Sequence, residues 1–155
     1  MAQDPGDIES TIRRVLERNR FAVLATQRDG QPHASLIAFT PLEGLRFLAF
    51  ATYRQTVKYA SIQQDRRVAI LVEDRDGDAR HAGGRLVLTA VGEAIETPLE
   101  ERQAHLATHA ARHPDLRKFL SSPECGFIRV AVNAYQVVGG VDDVRWYRLA
   151  ESAAA

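Results

Sequence analysis

The chain has 155 residues, which suits a single domain in the usual range of ~100–200 residues. Hydrophobic residues make up 45% and charged residues 26%, the composition of an ordinary globular protein, and 20 Lys and Arg balance 20 Asp and Glu. That balance excludes a long-range field drawing the whole protein onto nucleic acid or an anionic membrane, and the single cysteine, Cys125, excludes an intrachain disulfide. No apolar run approaches the ~18 residues of a membrane span, and the opening MAQDPGDIES lacks the basic and apolar regions of a signal peptide. The expectation is one cytoplasmic domain over 1–155, with no membrane or nucleic-acid partner.

In chain order, Asp4-Pro5 reads as an N-cap and first helical position, and Ile8, Ile12, Val15 and Leu16 recur at helical spacing, which predicts an amphipathic helix over 5–19. A strand over 21–26 runs into Asp29-Gly30, a hairpin signal because both turn positions accept positive φ, and a second strand returns over 31–40. Leu42-Glu43-Gly44 turns into a third strand over 45–52. Residues 54–64 are helix-compatible, and 66–73, with Val68-Ala69-Ile70-Leu71-Val72, form a buried fourth strand.

Residues 74–84 form a polar loop. Its aspartates do not make an EF-hand, since no glutamate stands at the twelfth position. A long strand over 86–96 contains Gly92, which implies a bulge or a close backbone approach. Helices are predicted over 98–111 and 114–121, and strands over 127–138 and 144–149 with Gly139-Gly140 at the turn between them; the tail 150–155 is frayed. Strands joined mostly by short turns predict a mainly β, antiparallel barrel with peripheral helices.

The segment LRFLAFATYRQTVKYASIQQDRRVAILV, residues 45–72, carries the chemistry. A strand ends at Ala51-Thr52, and a loop with Arg54 leads into a helix near Thr56. A helix N-terminus offers unpaired N–H groups and partial positive charge; a Thr56 hydroxyl, Arg54 and Lys58 beside it make a candidate anion site.

The order Ala25-Thr26, Asp29-Gly30-Gln31-Pro32, Thr52, Thr56-Val57-Lys58 and Asp65-Arg66-Arg67-Val68 resembles the pyridoxamine 5'-phosphate oxidase-like family of flavin mononucleotide (FMN)-binding split barrels, over roughly residues 8–150. The resemblance implies a Greek-key-like split barrel and a homodimer with FMN in a groove between subunits. It implies that Lys58 holds the FMN phosphate with Thr56 beside it. Val57 stands where the family has an arginine, and Ser35 where the oxidase has another, with Arg54 as the compensating cation. It places the backbone of Ser35, Leu36, Ile37 and Ala38 along the isoalloxazine ring, Ala51 and Thr52 next to the ring and ribityl chain, and Val87 and Thr89 on the strand that reaches the cofactor from the partner subunit.

The Arg-x-His substrate motif of the true oxidase is missing, since Val144-Arg145-Trp146-Tyr147 offers no such pair and no histidine follows His113. The expected function is therefore a flavin-dependent oxidoreductase on some other small substrate or electron donor. The alternatives are a non-catalytic flavin carrier or sensor and an F420-dependent reductase of the same fold. No catalytic acid or base stands out.

His105, His109 and His113 recur at i, i+4, i+8, which suits metal chelation, but no cysteine or suitably placed acid completes a set; the expectation is a solvated or capping row and no metal. Haem handling, which some proteins on this barrel perform, lacks a C-x-x-C-H motif. Cys125 reads as a small buried hydrophobe rather than a nucleophile.

Overall fold

The computed structural model describes residues 5–75 and 85–149. The cap assigned to Asp4, residues 76–84 of the polar loop predicted over 74–84 and the tail 150–155 lie outside the described residues, while Asp74 of that loop is the last residue of a strand. The elements are α1 (Pro5–Arg18), β1 (Phe21–Arg28), β2 (Gln31–Leu42), β3 (Phe47–Tyr53), α2 (Val57–Gln64), β4 (Arg67–Asp74), β5 (Leu86–Glu96), α3 (Leu99–Arg112), a 3-10 turn (Pro114–Leu116), α4 (Arg117–Leu120), β6 (Cys125–Gly140) and β7 (Asp143–Arg148). No described helix is long and apolar enough to cross a membrane.

All strand pairs are antiparallel. The first hairpin turns at Asp29 and Gly30 and the second at Glu43 and Gly44, each pair at positive φ. At Asp29-Gly30, between the paired Arg28 and Gln31, that is the two-residue turn whose twist matches the flanking strands, whereas the second connection spans four residues between Leu42 and Phe47. β4 returns beside β1, so the order β3-β2-β1-β4 is a Greek key; the sheet continues through β5 and β6 to β7, and a β3–β6 pairing closes the barrel.

The split lies along β6. One edge of this strand pairs with β5; the other pairs with β3 from Cys125 to Ala131 and with β7 from Ala134 to Gly140. At the changeover Ala134 faces Val91 and Val132 faces Gly92, leaving Asn133 as the extra residue of a bulge. Gly92 permits this: a Cβ there would lie 2.1 Å from the Ala131 carbonyl oxygen. The Gly139-Gly140 turn is corrected. Both glycines belong to β6 and supply a register irregularity between Val138 and Gly140, while Val141-Asp142 makes the turn.

Ile8, Ile12, Val15 and Leu16 are buried, so the α1 stripe packs onto the barrel as its spacing predicts. They join one core with Leu24, Phe39, Phe50, Ile70, Ile128 and Tyr135, whose buried hydroxyl donates to the Leu45 carbonyl at 2.7 Å. The predicted 114–121 helix divides into the 3-10 turn and the four-residue α4. A smaller cluster outside the barrel, Leu42, Ala49 and Phe127 with Leu106, seats α3 against β2, β3 and β6.

Candidate functional site

The corner between β3 and α2 is tied down by hydroxyls. Thr56 caps α2, accepting from the Tyr59 N–H at 3.3 Å and donating to the Tyr53 carbonyl at 2.9 Å. The Thr52 hydroxyl lies 2.8 Å from that of Thr56. The predicted phosphate hydroxyl therefore also serves as the helix cap, which fixes the point where Lys58 leaves the first turn.

Above this corner lies a cavity of about 340 Å³. Leu36, Ile37 and Ala38 of β2 and Ala51 and Thr52 of β3 form its strand wall; Thr56 and Lys58 enter from α2. Phe21, Leu116 and Phe119 add apolar surface, and His109 enters from α3. Seven of the twelve residues singled out from the sequence thus meet here, although they span β2, β3 and α2.

The other five lie elsewhere. Ser35 pairs with Leu24, and its hydroxyl is buried with no partner. Val57 is exposed. Val87 and Thr89 sit outside the cavity on β5, where Thr89 pairs with Leu71. Arg54 does not act as a free compensating cation: its Nε donates to Glu96 Oε1 at 2.8 Å and its Nη1 to the Pro123 carbonyl at 2.8 Å. Glu96 also accepts from the Tyr59 hydroxyl at 2.7 Å, and the Arg54 guanidinium holds its carboxyl below the usual range.

Lys58 differs in kind. Its ammonium has no hydrogen bond or ion pair with the described residues, and burial lowers its pKa from the ordinary lysine value. A half-buried cation without a partner among the described residues, in the first turn of a helix, is set up to receive an anion, which would favour its charged form.

The histidine row is the largest departure from the sequence reading. His109 and His113 are buried, not solvated, and only His113 caps, standing at the C-cap of α3 with its backbone N–H donating to the His109 carbonyl. His109 Nδ1 is 2.7 Å from the Thr40 hydroxyl, and His113 Nε2 donates to the Phe39 carbonyl at 2.7 Å. Burial, with His113 alongside, pushes the His109 pKa down to about 4, so the ring is neutral at pH 7. Only His105 stays near the surface, 3.9 Å from Glu43. The i, i+4 spacing carried the signal of a common face; what it lacked was that α3, short of large apolar residues, lays that face on β2. Among the described residues no three His, Cys, Asp or Glu side chains assemble as metal ligands. Cys125 is buried, and burial pushes its thiol up, away from the thiolate a nucleophile needs.

The pyridoxamine 5'-phosphate oxidase family model matches residues 8–138. No curated protein matches the chain. Among solved structures, a haem binding protein from Mycobacterium smegmatis superposes with TM-score 0.80 at 16% identity, covering 96% of this chain and 59% of that one. General stress protein 26 from Bacillus anthracis gives TM-score 0.69 at 20% identity, covering 92% and 98%. A FAD-binding protein from Mesorhizobium loti gives 0.64 at 18% identity, covering 79% and 87%. Likeness at these identities establishes the fold, and the chain spans about 59% of the length of the haem binding protein.

Proposed function

The chain belongs to the pyridoxamine 5'-phosphate oxidase family, and from that premise we propose that the cavity holds FMN and that the protein is a flavin-dependent oxidoreductase acting on a small molecule other than pyridoxamine 5'-phosphate. The observation that carries this reading is Lys58, a half-buried ammonium without a partner among the described residues, on the wall of a largely apolar cavity. Its charge suits a phosphate, and the flat strand surface of Ile37, Ala38 and Ala51 suits a planar ring. The volume, about 340 Å³, falls within the ~300–1,000 Å³ of ligand pockets. With Ser35 and Val57 in place of two family arginines, and Arg54 engaged by Glu96, the phosphate depends chiefly on Lys58.

Bound FMN would supply hydride-transfer chemistry. The chain's own residues bind and orient it: Lys58 and the N-terminus of α2 hold the anionic end, while Phe119, Leu36 and Ile37 exclude water from the ring. No carboxylate of the described residues lines the cavity, and His109 is neutral, so the site holds no strong general base. That absence among the described residues also suits a second reading, a flavin carrier or sensor. The FMN-loaded protein is expected to oxidise a reduced nicotinamide cofactor while forming no pyridoxal 5'-phosphate from pyridoxamine 5'-phosphate. No nicotinamide turnover would favour the carrier, and turnover of pyridoxamine 5'-phosphate at ~1 s⁻¹ or more would make the protein a true oxidase.

The same reading takes the protein as a homodimer. Leu36, Val23, Leu71 and Thr89 pair in succession across β2, β1, β4 and β5, and the first three are exposed. Leu36, at 71% exposure, is typical of a surface covered by a partner. This support would bring Thr89 and its neighbour Val87 to the interface, as the resemblance implies. The expected result is a dimer by light scattering at micromolar concentration, with Leu71→Asp weakening association at least tenfold. A monomeric wild-type protein would contradict it.

A further inference from the structure

His109 combines three features that no other residue of the cavity shares. It lines the cavity, its side chain is fully buried, and its Nε2 has no hydrogen-bond partner among the described residues. Several other buried polar atoms of the described residues also lack partners, among them those of Thr26, Ser35 and Ser61, but none of their residues lines the cavity. A polar atom buried without a partner costs free energy, and a ligand is one of the few ways a folded protein recovers it.

The ring is not free to turn and find a partner elsewhere. Nδ1 is held by the Thr40 hydroxyl at 2.7 Å. Phe127 stands edge-on with ring centroids 5.4 Å apart, and the tilted ring of His113 lies at 4.7 Å. Flipping the imidazole would move Nδ1 away from Thr40. The neutral ring at pH 7 also separates its role from that of Lys58: it suits an uncharged heteroatom rather than a phosphate.

We propose that His109 recognises the ring of the bound flavin through a hydrogen bond from its Nε2 edge to a heteroatom of the flavin's pyrimidine portion. This rests on the FMN reading above and deepens it. The dimethylbenzene end of a flavin has no hydrogen-bonding atom, so a polar contact at His109 fixes which way round the ring lies. Lys58 then sets the position of the phosphate and His109 the orientation of the ring, each entering the cavity from a different helix. His109 is a binding and positioning residue; it has no proton to supply as an acid at neutral pH.

Two substitutions divide the imidazole's functions. In His109→Asn the short amide can keep the Thr40 contact made by Nδ1 but leaves the Nε2 position empty. In His109→Gln the longer amide can reach the Nε2 position. Full-length wild type and both variants are titrated with FMN by flavin fluorescence, and their thermal unfolding is followed without FMN. The expected result is that His109→Asn binds FMN about five- to tenfold more weakly than wild type while melting near wild type, and that His109→Gln recovers most of that affinity. Unchanged affinity in His109→Asn, with wild type binding FMN, would overturn the role of His109 and leave the FMN reading standing. Equal loss in both variants would also overturn it, since a packing role would then explain the effect. Failure of wild type itself to bind FMN would overturn both.

Discussion

Lys58→Ala is expected to lower FMN affinity ten- to hundredfold, and Arg54→Ala to lower it far less. A charge-assisted hydrogen bond contributes ~1.5–3 kcal/mol, and each ~1.4 kcal/mol is a factor of ten in affinity. Lys58 has no hydrogen-bond or ion-pair partner among the described residues to lose, so its removal leaves no buried group of theirs behind it. Stability without FMN should therefore be unchanged or slightly raised. Arg54→Ala should do the reverse. It strands Glu96, which accepts from Arg54 and Tyr59, and removes the bond to the Pro123 carbonyl. The two substitutions thus separate a ligand-binding cation from a structural one. Flavin fluorescence titration beside thermal melts reads both effects. Equal FMN affinity in Lys58→Ala and wild type would remove the phosphate assignment.

Gly92→Ala is expected to destabilise the protein by ~3 kcal/mol, because overpacking against backbone costs ~1–3 kcal/mol and occasionally more. The added Cβ would stand 2.1 Å from the Ala131 carbonyl oxygen and 3.0 Å from Val132 Cα. Neither is the yielding end of a side chain. To make room β5 and β6 must separate where β6 passes from β3 to β7, so closure of the barrel is disturbed with the bulge. For a chain of this size the loss corresponds to a fall in Tm of roughly 6–12 °C. Gly140→Ala is the control. Its Cβ would meet nothing within 4 Å and its φ is not positive, so the change should cost little. Denaturant unfolding of both variants checks the difference, and equal stability of the two would show that the close approach at Gly92 is relieved elsewhere.

Gly92 also illustrates what a sequence can carry. A glycine inside a strand has few physical reasons to be there, and close backbone approach is one of them. The helical stripe of α1 and the Asp29-Gly30 turn are legible for the same reason: each is a local pattern with a local cause. Gly139-Gly140 shows the limit. The same residue type serves a turn or a bulge, and only the pairing of Val138 with Val144 decides between them. Side-chain contacts between distant segments were not legible from local pattern. Arg54 and Glu96 are 42 residues apart, and nothing local says that the arginine is engaged by a carboxylate rather than open to a phosphate. The burial of His109 and His113 depends on where α3 lies. The motif pattern around Thr52 and Lys58 could be placed beforehand because it spans one strand, one corner and one helix; the contribution of α3 to the same cavity could not.

Binding of FMN in this cavity is read most directly by titrating the purified full-length chain with FMN, followed by flavin fluorescence and by the absorbance of the complex. The expected result is saturable binding at micromolar FMN, one flavin per chain, with the two absorbance bands of an oxidised flavin. No saturable binding, or preferential uptake of the deazaflavin F420 with its band near the blue edge, would contradict it.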